Sequence, residues 1–301
     1  MRLGLQVPFF SWPDSPASIG PTLARIAKDA EAAGMSSLWV MDHFFQLQMI
    51  GPPELEMMEG YTALAFAAAH TSTIELGTLV TGVTYRHPGV LLKTVTSLDV
   101  LSGGRAWLGI GAAWNEEEHR GLGVPFPPLS ERFERLEETL QIAHQMRSGE
   151  ESAYEGRHYQ LQRPLNSPPP LSRPRLPIMV GGSGERKTLR MVAQYADACN
   201  IFDFGPEGVK AKYDVLEDHC QALGRDPAQI ERTVITRMAL SSDGQPLAAS
   251  GEESLTVPQA VDKLAALAEV GTQTVMFGLP NAHEEGVFEL VADLVAQVGD
   301  L

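Results

Sequence analysis

Asp42 and His43 stand side by side in this 301-residue chain, a carboxylate next to an imidazole. Such a pair can hold and move a proton near neutral pH. The same two residues also fit a plainer role, a capping aspartate beside a solvated histidine. A second candidate is the run Gly181-Gly182-Ser183-Gly184, followed by Glu185-Arg186-Lys187. Glycine amides at a helix start, with a serine hydroxyl and nearby cations, form a cradle for phosphate. The spacing excludes a Walker A loop. A dinucleotide fingerprint would gain from Asp203 downstream but lacks its third glycine.

Two further stretches suit a flat ligand. Gly77–Gly82, containing Leu79, Val80 and Thr81, is small enough for backbone to approach a planar ring closely, although an ordinary glycine turn reads the same. Gly109–Asn115 brings Gly111, Ala112, Trp114 and Asn115 into one turn, which suits ring packing and phosphate contact. Trp114 stands where a nucleotide fingerprint requires glycine. The Glu116-Glu117-Glu118 run after it reads as a solvated first helical turn favoured by the helix dipole. The remaining histidines show no metal-ligand spacing, and no nucleophile-elbow motif occurs.

These residues need a frame that gathers them. Short apolar strands alternate with amphipathic helices along the whole chain. Strands are expected at Arg2–Val7, Ser37–Met41, Ile74–Leu79, Arg105–Ile110, Pro177–Val180, Ala198–Phe202, Thr233–Ala239 and Thr274–Phe277. Helices are expected at Ile19–Ala33, Tyr61–Thr71, Pro88–Leu101, Glu131–Arg147, Glu185–Tyr195, Val209–Leu223, Pro258–Val270 and Glu284–Val298. Strand–helix alternation implies a parallel sheet, and eight units in this length match a (β/α)8 TIM barrel better than an open sheet. Asp42-His43 and the glycine segments then fall at C-terminal strand ends, where barrel enzymes place their chemistry. Three long connections, near 44–60, 152–176 and 241–256, are expected to be a site lid, an excursion beside the barrel and a mobile loop. No domain boundary is needed, so 1–301 reads as a single domain.

Composition narrows the partners. A formal net charge of −15 argues against nucleic acid or an anionic membrane. An anionic ligand must therefore be held by a local cradle. Cys199 and Cys220 fit a reducing cytoplasm, and neither a signal peptide nor an apolar run of about 18 residues is present. The expected location is cytoplasmic.

Five segments in order, Ser37–Phe45 (SLWVMDHFF), Leu76–Pro88, Leu98–Glu118, Gly121–Leu136 and Ile178–Asn200, resemble the luciferase-like monooxygenase superfamily. Within it they are similar to the branch that uses the deazaflavin coenzyme F420. The resemblance implies a luciferase-like (β/α)8 barrel with insertions, commonly a homodimer. It implies a tricycle lying against strands 2 to 4, with a non-proline cis peptide behind it at Leu79-Val80. Asp42 and His43 match the ring-side pair, with His43 assisting hydride transfer and steadied by Asp42. Thr81, Ala112 and Asn115 match cofactor-lining positions, and Gly181–Gly184 the phosphate loop. Arg186, Lys187, Arg190 and Arg120 could meet the acidic tail of F420. Met41, Trp114 and the Met-rich lid would exclude water. The chain departs from the sugar-phosphate dehydrogenase members where Trp114 stands roughly at their acidic residue and Leu47 replaces a nearby tryptophan, which argues against glucose 6-phosphate. The expected activity is hydride transfer between F420 and a small organic substrate. The alternatives are an FMN-dependent monooxygenase using reduced flavin and O2, and a non-catalytic flavin-binding protein.

Overall fold

A computed structural model describes residues 1–247 and 250–301, so part of the loop expected to be mobile, at 248–249, lies outside the described residues. Eight parallel strands close into a barrel: β1 (Arg2–Val7), β2 (Ser37–Val40), β3 (Glu75–Thr78), β4 (Ala106–Gly111), β5 (Ile178–Gly181), β6 (Ala198–Phe202), β7 (Glu231–Arg237) and β8 (Thr274–Gly278). Each strand pairs with its sequence neighbours, β8 returns to β1 with Arg2 opposite Thr274, and β3 meets β4 with Gly77 opposite Trp107. Strands covered on both faces carry continuous apolar runs. All six residues of β4 are buried accordingly. Trp39, Trp107, Met179, Ala198 and Met276 fill the barrel interior, the two indoles 6.1 Å apart.

The helices α1 (Ile19–Ala32), α2 (Gly60–Ala68) and α3 (Pro88–Leu101) cover the first half. Pro88 occupies the first turn of α3, where its missing N–H costs nothing, behind a His87 cap. A short helix that the sequence did not announce, α4 (Glu116–Leu122), follows β4 and stops at Gly123 in the left-handed region. Then come α5 (Leu129–Ser148), α6 (Thr188–Tyr195), α7 (Gly205–Leu223), α8 (Val257–Glu269) and α9 (Val287–Val298).

The long connections are anchored by polar contacts. In 44–60, Gln46 donates to the Pro8 carbonyl and Leu47 is buried. In 152–176, a two-residue ladder (Tyr154–Glu155 with Gln160–Leu161) lies on α5, where the Glu138 carboxylate accepts from the amides of Arg157, His158 and Tyr159. After β7, Ala239–Leu240 pairs with Ser254–Leu255, and Arg237 grips Glu252 at 2.6 Å through two nitrogens. Among the described residues no helix is long and apolar enough to cross a membrane.

Candidate functional site

Beyond β3 the chain turns through a cis Leu79-Val80 peptide, as expected, and rejoins β4 where Thr81 meets Ile110 and Gly82 meets Gly111. Val80 projects into space cleared by two strand ends. A Cβ on Gly111 would come within 2.9 Å of its methyl, and one on Gly181 within 2.7 Å. The result is a wall of low relief made of Leu79, Val80, Gly111 and Ala112. Thr81 does not face the mouth with its hydroxyl. It lies 2.6 Å from the Tyr61 phenol and 2.7 Å from Thr78 Oγ1, which donates onward to the Gly109 carbonyl. These buried hydroxyls tie the turn to β4 from behind.

Asp42 and His43 enter different networks. Asp42 is buried, and both its oxygens accept from Arg86, at 2.7 and 2.9 Å. Arg86 also bonds Glu59 and lies 4.9 Å over the Tyr61 ring. Burial pushes the Asp42 carboxyl up, to about 6, and the guanidinium beside it opposes that rise. His43 Nδ1 instead meets Glu118 Oε1 at 2.6 Å. The expectation that Asp42 steadies His43 is therefore corrected. Successive side chains in extended backbone leave on opposite sides, so neighbours in sequence become members of separate clusters.

Glu118 also overturns the reading of its acidic run as solvated. Glu116 and Glu117 are exposed, but Glu118 is fully buried. Its carboxylate accepts from the amides of Phe44 (2.8 Å) and Phe45 (3.3 Å), and from the Tyr85 phenol. Burial alone would raise its pKa, but the His43, Tyr85 and Phe44 donors outweigh that and hold it below the usual carboxylate range. Tyr85 stacks on His119 at 4.5 Å, and Trp114, more than half exposed, sets its edge 5.4 Å from the His43 ring. The Asn115 carboxamide oxygen accepts from the Glu117 amide and caps α4. Arg132, scarcely exposed, donates to the carbonyls of Ala112 and Ala113 and lies 4.2 Å over Phe126. Sequence reasoning missed Arg86, Glu118, Tyr85 and Arg132 as members of this site.

The glycine loop lies across the mouth. Gly182 has φ +120°, which only glycine adopts freely, and its amide donates to Asn200 O at 2.9 Å. Ser183 Oγ accepts from the Phe202 amide at 3.3 Å. A turn over 185–187 intervenes before α6, which begins at Thr188 rather than Glu185. The loop thus stands one turn ahead of the helix. The amides of Ser183 and Gly184 meet no protein acceptor among the described residues, which leaves donors for an anion. Arg186, Lys187 and Arg190 are exposed nearby, while Arg120 is paired with Glu116 at 2.7 Å. A flat wall on one side and an amide cradle on the other fit a planar ring carrying a phosphate. Among the described residues no three His, Cys, Asp or Glu side chains gather to hold a metal ion.

The family model described as luciferase-like monooxygenase matches residues 1–255. An F420-dependent glucose-6-phosphate dehydrogenase of Kineococcus radiotolerans is 31% identical over 73% of this chain, and the match spans 64% of that enzyme's length. The solved structure of an F420-dependent secondary alcohol dehydrogenase, in complex with an F420-acetone adduct, superposes with a TM-score of 0.81 at 15% identity, covering 99% of this chain and 98% of that one. The oxygenating constituent of 3,6-diketocamphane monooxygenase from Pseudomonas putida, in complex with FMN, gives 0.74 at 16% identity, covering 98% and 97%. These structures share the fold across both cofactor types.

Proposed function

We propose, on the premise that this chain belongs to the luciferase-like monooxygenase family, that it transfers hydride between coenzyme F420 and a small organic substrate. The observation that carries this reading is the meeting of a flat, backbone-lined wall with an imidazole whose Nε2 has no partner among the described residues. The 31% identical relative named for F420 dependence favours the deazaflavin over FMN. So do the exposed cations Arg186, Lys187 and Arg190, which suit an acidic tail in a chain of net charge −15.

Bound F420 supplies the ring carbon that gives or takes hydride. The chain does the rest. Leu79, Val80, Gly111 and Ala112 seat the ring, while Asp42 and Thr81 brace the turn behind it and Asn115 lines the α4 end. Gly181, Gly182, Ser183 and Gly184 shape the phosphate cradle, in which the Ser183 and Gly184 amides are the donors. His43 Nε2 exchanges a proton with the substrate oxygen or nitrogen. Buried Met41 and the exposed Trp114 edge keep water from that exchange.

Titrating the cofactor-free protein with F420 and FMN, each oxidised and reduced, tests the assignment. F420 is expected to bind more tightly. Reduced FMN binding at least tenfold tighter, about 1.4 kcal/mol, would move the chain to the FMN monooxygenases, and stoichiometric binding without turnover to flavin-binding proteins. Exposed Phe66 on α2 and Val90 and Leu101 on α3 support a homodimer, which a solution mass of twice 32.7 kDa would establish.

A further inference from the structure

The imidazole of His43 has two nitrogens, and its surroundings treat them differently. Nδ1 is enclosed with Glu118 at 2.6 Å. Nε2 has no hydrogen-bond partner among the described residues, and the ring is 15% exposed, with the Trp114 edge beside it. The proton position follows from what surrounds Glu118. Oε1 takes His43 Nδ1 and the Tyr85 hydroxyl; Oε2 takes the amides of Phe44 and Phe45. A carboxylate accepts about four hydrogen bonds in all, so its capacity is filled. The two amides can only donate. The Tyr85 phenol is held protonated by burial and by the Glu118 charge. Three fixed donors on one buried carboxylate favour its ionised form, and that form requires the proton on Nδ1.

We infer that Glu118 is the positioning residue of His43: it fixes the Nδ1–H tautomer and leaves Nε2 a bare lone pair turned toward the mouth. In the resting protein His43 is then a proton acceptor first and a donor only after it has taken a proton. Asp42 cannot share this task, because its oxygens are filled by Arg86 and the Gly82 amide. The charged and titratable groups around the ring are Glu118 from α4, Tyr85 from the loop before α3, His119 behind Tyr85, and Asp42 with its partners Arg86 and Glu59. Glu118 alone among the carboxylates touches the imidazole. The inference rests on the proposed function only for where the substrate lies.

Nitrogen-15 NMR of histidine-labelled, cofactor-free protein at neutral pH reads the tautomer directly, with His43→Asn identifying the resonances. The wild-type protein is expected to carry its proton on Nδ1. In Glu118→Gln the carboxamide oxygen keeps the Phe44 and Phe45 amides and its NH2 faces His43, so the imidazole proton should move to Nε2. Tyr85→Phe, which leaves the carboxylate in place, should retain the wild-type form. With F420 loaded, Glu118→Gln should lower kcat on the order of 10²-fold, within the usual worth of acid–base assistance, while cofactor affinity holds. A wild-type protein protonated on Nε2 overturns the inference even if Glu118→Gln does not fold. Retention of the Nδ1–H form in Glu118→Gln overturns it too. Neither NMR result depends on which cofactor the protein uses, so failure here is distinct from failure of the F420 assignment.

Discussion

The two sides of the barrel mouth are built by opposite means. Against β2, β3 and β4 the site is a set of buried, charged side chains with every oxygen assigned: Asp42 and Glu59 on Arg86, His43 and Tyr85 on Glu118. Against β5 and β6 it is backbone, glycine and one serine, half exposed and with amides to spare. Side-chain networks fix direction, which proton exchange requires. A backbone cradle fixes an anion without needing net positive charge, which suits an acidic chain. Substitutions on the first side should therefore act on rate and stability, and those on the second on affinity.

His43→Asn should produce the largest effect. Its kcat should fall roughly 10²–10⁴-fold, the span of acid–base assistance, with cofactor affinity little changed. Steady-state kinetics with a cofactor titration measure both. Near-normal turnover would demote His43 to a positioning or capping role and remove the chemical half of the contrast.

Arg86→Met comes next. It leaves Asp42 enclosed without its cation, and Glu59 loses the same partner. Breaking a buried pair on one side costs about 3–5 kcal/mol. Urea unfolding should show a loss of that size. A loss below about 1 kcal/mol would mean that the cluster relaxes or takes up water, and the picture of a fully assigned side-chain network would fail.

On the opposite side, Gly182→Val tests the cradle. At φ +120° a branched side chain is strained by about 1–2 kcal/mol, and the added Cβ would lie an ordinary 3.4 Å from Thr188. Cofactor affinity should fall tenfold or more while the fold survives. Unchanged affinity would place the phosphate elsewhere and erase the contrast from that side.

What the sequence disclosed divides along similar lines. The strands were legible because a barrel wall buried on both faces imposes apolar runs, and the observed limits differ from expectation by a residue or two at most ends. The glycine loop was legible because its chemistry is local. The Asp42–Arg86 contact joins residues 44 positions apart, and no local pattern announces it. Glu118 was misread because three successive glutamates at a helix start look like dipole compensation, and only the docking of α4 against Phe44 and Phe45 turns the third inward. The helix start after Gly184 was set three residues early because Glu185-Arg186-Lys187 has helical composition but forms a turn. The cis Leu79-Val80 peptide was foreseen from the family resemblance alone, since neither residue type suggests it.

The smallest expected effect concerns pH, and it separates the two sides through one residue type. Burial works against the Glu118 charge, yet His43, Tyr85 and the Phe44 amide hold its carboxyl below the usual range. A carboxyl depressed in the folded state adds stability that is complete above its unfolded value, about 4.3. That stability is lost as the pH falls through the folded value. Wild-type protein should therefore lose stability between neutral pH and about pH 3 more steeply than Glu118→Gln, which has no such proton to bind. Glu185, beside the glycine loop, is also held low, through Lys212, but it is exposed and solvent screens that pair. Glu185→Gln should accordingly leave the pH slope close to that of wild type. Melting temperatures of the three proteins across this range decide the matter. If Glu118→Gln shows the full wild-type slope, the charge assigned to Glu118 is absent in the folded protein. If Glu185→Gln flattens the slope as much as Glu118→Gln does, burial is not what distinguishes the two sides of the mouth.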